Sequence, residues 1–339
     1  MLRDLFYEIL SNYEFRFGKI TSFNYENFPD SDSVVDPLYG EIYLSKFLQY
    51  IMSLPIVERL SKIRQLALTN LVFSGANHTR LEHSLGVSHL LNTIPEDLTS
   101  IDKAVLGIAG VLHDLGHSGW GHALDGLVAK VATEALGPRE MFPKFALRKL
   151  DIAITSYLLY YNDQLVHALS AVAKKLGRWD NLSLDKEPRL LRDVIAWIIS
   201  EEEYGYEFFC KGEYWDKVSE TLINRIKYFQ RLLGDPINCD RLDWEERDGH
   251  HAFSSRGEFT KSLEEISRLK RRLKVKQGGG SEIKCQKSLL KKLKKKVAEF
   301  RKKLYEEIYE GIERSFIDSL LNRLVYSCLL YTSPSPRDS

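Results

Sequence analysis

Cysteine is scarce in this chain: four residues in 339, Cys210, Cys239, Cys285 and Cys328, at spacings that suggest no pairing. That excludes a small secreted domain stapled by disulfides and points to a reduced, cytoplasmic setting. Long apolar runs are also missing. The longest candidate, Ala104 to Leu112, falls well short of the roughly 18 residues that a membrane span needs, so it reads as a core helix and no membrane association is expected. The opening residues, Met1-Leu2-Arg3-Asp4-Leu5, carry an acid and lack a signal-peptide pattern. Net charge is nearly absent too, at +1. What is present, 44% hydrophobic and 28% charged residues, suits a soluble globular chain of one large domain or two.

The small net charge hides an asymmetry. Residues 261–304 hold 17 Lys and Arg against four Glu, leaving +13 there and −12 elsewhere. Such a block favours a polyanion, whether a nucleotide, a nucleic acid or an acidic partner surface; a solvated helix face is the other reading. Binding of nucleic acid at this block would be steeply salt dependent.

Taken in order, residues 2–13 read as a helix, followed by a polar, aromatic loop. Asp36-Pro37-Leu38-Tyr39-Gly40 is a turn signal. Residues 44–70 place Leu48, Ile51, Leu54, Val57, Leu60, Ile63 and Leu66 at helical spacing. Helices are expected over 81–96, 101–116, 123–136 and 145–162, with more over 163–233. The period changes at 271–286, where Gln277-Gly278-Gly279-Gly280-Ser281 reads as the turn of a short hairpin, with a Gly/Ser linker as the competing reading. A long amphipathic helix or two follows over 288–327. Residues 328–339 break every earlier pattern and read as a non-native tail.

The chemistry concentrates in two blocks. Five of the nine histidines lie between 83 and 122. The first block is Asn77-His78-Thr79-Arg80-Leu81-Glu82-His83-Ser84-Leu85-Gly86-Val87. The second runs from His113-Asp114-Leu115-Gly116-His117 through His122 to Asp125. Glycines after the apolar run Val105 to Leu112 end a helix and open a loop. Imidazole and carboxylate together form a normal donor set for a divalent ion. Adjacent helical residues point about 100° apart, so His113 and Asp114 need donors from elsewhere. His83 is the upstream donor, and an acid further on completes the set. A scatter of ordinary surface and core histidines is the alternative.

His83, His113-Asp114 and Asp240 together resemble the four-ligand signature of the HD-domain metal-dependent phosphohydrolases. The flanking residues are most similar to the deoxynucleoside triphosphate triphosphohydrolase branch. The block Asp240-Arg241-Leu242-Asp243-Trp244-Glu245-Glu246-Arg247-Asp248 resembles that branch's closing motif, with Trp244 where a tyrosine is common. The resemblance implies an all-α fold: an HD-domain helical core over 1–260 and a basic hairpin-plus-helix part over 261–327. It implies a divalent metal, Mn, Fe, Co, Ni, Zn or Mg, on His83, His113, Asp114 and Asp240. It gives His117, His122 and Asp125 to the catalytic machinery. Substrate contacts fall to Arg80 and Arg241 for phosphate, Gln65, Leu66 and Asp248 for the sugar, and Trp244, Arg301 and Tyr309 for the nucleotide. Homo-oligomers are common in the branch. The sequence departs from it where the branch carries a histidine that pairs with the equivalent of Asp125; the best register puts Ile152 there. The expected activity is hydrolysis of (deoxy)nucleoside triphosphates to nucleoside and triphosphate. Alternatives are an HD phosphohydrolase of nucleoside monophosphates, cyclic nucleotides or other phosphate esters, and a catalytically weak nucleotide- or nucleic-acid-binding module.

Overall fold

The computed structural model describes residues 25–119, 150–200, 215–253 and 257–309, together with 319 and 323. In chain order, strands β1 (Ser31–Asp36) and β2 (Gly40–Ser45) lead into helices α1 (Lys46–Met52) and α2 (Pro55–Glu58). Helices α3 (Arg80–Thr93), α4 (Ser100–Leu112), α5 (Leu150–Tyr161) and α6 (Asp163–Leu176) follow. After the two-residue strands β3 (Arg178–Trp179) and β4 (Leu182–Ser183) come α7 (Arg189–Ile199), α8 (Glu220–Leu233), α9 (Cys239–Phe253) and α10 (Gly257–Arg272). Strands β5 (Val275–Gln277) and β6 (Ile283–Cys285) precede α11 (Lys287–Leu304), which ends in a π turn at Tyr305–Tyr309. The fold is all-α with three small antiparallel ribbons. No described helix is long and apolar enough to cross a membrane.

The centre of the molecule is the pair α3 and α4. Each starts with a reciprocal cap, Thr79 with Glu82 and Thr99 with Asp102, so the orphan amides of both first turns are satisfied. In α4, Val105, Leu106, Ile108, Val111 and Leu112 are fully buried. Each contributes about 1.5–3 kcal/mol relative to exposure. The two helices touch backbone to backbone: a Cβ on Gly110 would sit 2.7 Å from Ser88 Cα, so only glycine fits. This close approach brings the start of α3 beside the end of α4.

The apolar spacing over 44–70 picks out the core residues correctly, since all seven are buried. It does not make one helix. Leu54 precedes a proline and is extended (ψ 134°), which ends α1 and lets Pro55 start α2. The hairpin expected near 271–286 is present as β5 and β6. The structure adds a second, β1 and β2, around the turn at Asp36–Gly40. There Asp36 Oδ1 accepts from Leu38 N at 2.8 Å and Gly40 takes φ +73°.

In the basic segment, Leu289, Leu293, Val297, Phe300 and Leu304 form the buried stripe of α11. Phe259 links α9 to α11, stacking on Phe253 at 4.2 Å and meeting Phe300 edge-on at 5.9 Å. Part of the lysine face is paired within the chain: Lys292 and Lys296 reach Glu265 at 3.7 and 3.1 Å.

Candidate metal centre

Four side chains from three places in the fold meet at one point. His83 stands in the first turn of α3, His113 and Asp114 follow α4 directly, and Asp240 opens α9. Asp240 Oδ1 lies 3.1 Å from His83 Nε2 and 3.4 Å from His113 Nε2. Asp114 Oδ1 lies 3.4 Å from His113 Nε2, and its Oδ2 lies 3.7 Å from His83 Nε2. Donor atoms of His83, His113 and Asp240 all fall within 4.8 Å of one another. The residues fit a divalent ion in another respect. His113 Nδ1 donates to Gly110 O at 2.8 Å, which leaves the Nε2 lone pair facing the centre, buried and without a hydrogen-bond partner.

His83 is oriented in the same way through a carboxylate. Its Nδ1 donates to Asp243 Oδ2 at 2.8 Å. Asp243 is held by Arg247 Nε at 2.9 Å and Nη2 at 3.0 Å, and by Tyr39 Oη at 2.7 Å. Arg247 Nη1 also reaches Asp36 Oδ2 at 2.8 Å. Lys270 donates to Tyr39 Oη at 2.9 Å and pairs with Glu246. Sequence reasoning gave no role to this buried layer, although Asp243 and Arg247 stand four apart on α9, the spacing of an ion pair on one helix face.

The acids govern the protonation of the site. Burial pushes the His83 pKa down, but contacts with Asp240 and Asp243 outweigh it and push the value up to about 10. His113 is also raised, against burial, by the charges of Asp114 and Asp240. Burial opposes ionisation of Asp114, yet His113, His117 and Arg80 hold its carboxyl well below the usual range. A group with a raised folded pKa contributes stability below its unfolded pKa and loses it as pH rises through the folded value. Metal-free protein is therefore expected to lose the His83 contribution from about pH 6.5 to about 10. Thermal melts in chelator should show Tm falling over that window, and added Mn²⁺ should flatten the fall. An unchanged slope with metal would argue against His83 as a ligand.

Beside this centre, Arg80 Nη1 holds Asp114 Oδ2 at 2.6 Å. His117 Nε2 lies 3.4 Å from Asp114 Oδ1 and 3.5 Å from Asp151 Oδ2. The side chain that α5 presents to His117 is thus Asp151, which adjoins Ile152. Gly116 N donates to Thr155 Oγ1 at 2.8 Å, which fixes that register. Arg59 donates to the carbonyls of Leu115 and His117 at 2.6 and 2.9 Å, holding the loop that carries His117. His122 and Asp125 lie outside the described residues.

Gln65 and Asp248 come together through His78. Gln65 N donates to His78 O at 2.9 Å, and His78 Nε2 lies 2.7 Å from Asp248 Oδ1. His251 stacks on His78 at 4.5 Å, and burial with the neighbouring histidines lowers its pKa to about 4. Gln65 Oε1, His78 Nδ1 and His251 Nε2 are buried without partners, so this pocket has polar capacity to spare. Leu66 is buried next to it. Arg301 lies 5.9 Å from the Trp244 ring and donates to Tyr305 Oη at 3.2 Å. The tyrosine against Arg301 is therefore Tyr305, while the side chain of the expected Tyr309 lies outside the description. Arg241 and Arg301 line one cavity between α9 and α11.

The HD domain model matches residues 80–201, which contain three of the four converging side chains. Over that segment the chain is similar to the HD-domain superfamily. It is 31% identical over 183 residues to the deoxynucleoside triphosphate triphosphohydrolase SAMHD1 of Gallus gallus, covering 48% of this chain and 30% of that protein. Against the Homo sapiens protein of the same name it is 40% identical over 100 residues, 27% of this chain and 16% of the relative. The match thus spans under a third of the length of these relatives. A solved structure, a hypothetical protein from Aquifex aeolicus, shares the fold with a TM-score of 0.59 at 22% identity, over 91% of this chain and 68% of that one.

Proposed function

We propose that the chain is a metal-dependent phosphohydrolase that cleaves (deoxy)nucleoside triphosphates to nucleoside and triphosphate. The observation that carries this reading is the convergence of His83, His113, Asp114 and Asp240 on one point. Two neutral imidazoles and two carboxylates suit a borderline divalent ion, whose chemistry is Lewis-acid polarisation of a phosphoryl oxygen and acidification of water. The chain's own residues do the rest. Arg80, already bound to Asp114, offers its remaining N–H groups to phosphate. Arg241 and Arg301 neutralise the far end of the phosphate chain. Gln65 and Asp248 face the sugar, with His78 fixing the Asp248 carboxyl. His117, between Asp114 and Asp151, is placed to hold or pass a proton at Nε2. The relatives' names support the substrate class.

One observation favours a second reading. The group that α5 sets beside His117 is an acid, Asp151, and the best register puts Ile152 where the branch has a histidine, so protonation of the leaving group can differ. That keeps other phosphate esters open. Incubation with Mn²⁺ and each dNTP is expected to release nucleoside and tripolyphosphate in equal amounts. Orthophosphate alone, or turnover confined to monoesters, would replace the first reading by the second.

A further inference from the structure

The cavity between α9 and α11 contains a group that neither the metal centre nor the family motif uses. It has a volume of about 250 Å³. Its walls are the first two turns of α9, the preceding loop and the middle of α11. Leu290, Leu293 and Val297 form the apolar side; Arg241, Lys294 and Arg301 supply three cations. Glu245 also lines it. This side chain is buried, the residue being 1% exposed, and neither carboxyl oxygen has a hydrogen-bond partner. Its nearest cation, Arg301 Nε, is 3.7 Å away, beyond hydrogen-bonding distance.

We propose that Glu245 is a phosphate-contacting residue of this cavity, donating a carboxylic O–H to an anionic ligand oxygen that Arg241 and Arg301 hold. The ligand class is a polyphosphate or the phosphate chain of a nucleotide, and the inference rests on the reading that Arg241 and Arg301 face substrate phosphate. The argument is one of satisfaction and sign. An ionised carboxylate buried without hydrogen bonds is costly, and beside a phosphate it repels. A neutral carboxylic acid becomes a donor and completes the cationic wall, as other buried acids kept neutral do. A ligand that brought only N–H donors to an ionised Glu245 would offer no anion to Arg241 and Lys294, which line the same cavity. The groups facing Glu245 are Arg241, Asp240 and Asp248 from α9, Arg301 and Lys294 from α11, and Asp235 from the loop. Burial dominates them and pushes the Glu245 pKa up to about 8, against the pull of Arg241 and Arg301.

Calorimetric titration of the full chain with tripolyphosphate at pH 7 and pH 9 tests this, using wild type and the near-isosteric Glu245→Gln. Ionisation of the ligand is common to both proteins, so the difference between them isolates Glu245. Wild type is expected to lose about tenfold more affinity than the variant over that interval, the response of one linked proton. Arg301→Gln is expected to weaken binding in both backgrounds at pH 7. Identical pH responses in wild type and Glu245→Gln overturn the inference, as does a failure of tripolyphosphate to bind. Glu245-dependent binding without any dNTP turnover would instead remove the hydrolase reading and leave the anion subsite standing.

Discussion

Asp240→Asn is expected to lower kcat by about a thousandfold or more while leaving the protein folded, with a melting temperature lowered by the loss of the metal and of the His83 contact. The side chain is 39% exposed and the amide is nearly isosteric, so the substitution opens no cavity. Both histidines converge on its Oδ1, at 3.1 and 3.4 Å, and an amide is a far poorer donor to a divalent ion. Loss of the ion forfeits several kcal/mol of transition-state stabilisation, and each 1.36 kcal/mol is a factor of ten. Metal content by elemental analysis should fall in parallel. Asp243→Asn gives the contrast: it touches His83 Nδ1 rather than the ion, so metal affinity should weaken only about 10–100-fold. An Asp240→Asn protein that keeps both its metal and its turnover would show that the centre lies elsewhere.

The four converging side chains were legible because they sit in dense motifs whose chemistry is narrow. His113-Asp114 needed outside donors, and a histidine upstream and an acid downstream supply them. The core of residues 44–70 was legible from spacing alone, but its break at Leu54 depends on Pro55, a local signal that apolar periodicity does not register. Other features were fixed by contacts distant in sequence. Arg247 joins Asp36 across 211 positions, and nothing along the chain tells a buried pair on α9 from a solvated one. The approach of Asp151 to His117 was not legible in the sequence. The segment around Asp151 has no glycine or proline to anchor a register, and a hydrogen bond from Gly116 to Thr155 sets it. The first hairpin announced its turn but not its strands, because only Ile42 and Leu44 of β2 point into the core, too short an alternation to separate from loop. Along the sequence Glu245 and Glu246 are two adjacent acids with nothing to tell them apart. The structure separates them: Glu246 pairs with Lys270, and Glu245 faces a cavity.

Arg247→Met is expected to destabilise the fold by about 3–5 kcal/mol, the cost of removing one partner from a buried ion pair. The guanidinium is fully buried and bonds two carboxylates, Asp243 and Asp36, so its loss strands two acids at once. Burial alone would raise the Asp243 carboxyl; Arg247 and His83 hold it far below the usual range instead. A depressed carboxyl contributes stability above its unfolded pKa, near 4, and loses it as pH falls below that. Wild type should therefore unfold in acid with Asp243 among the groups that take up protons. In Arg247→Met much of that contribution is already gone, so the midpoint in urea should drop sharply at pH 7 and change less than wild type on acidification from pH 4 to pH 2. The defect should also reach the metal. With Asp243 no longer clamped, His83 Nδ1 loses a fixed acceptor, and metal affinity should weaken even in conditions where the variant is folded. Asp243→Asn in the same background then costs less than it does alone, because the two residues act through one contact and their effects cannot add. Additive losses in that double-mutant cycle would mean that Arg247 stabilises the helices without positioning His83.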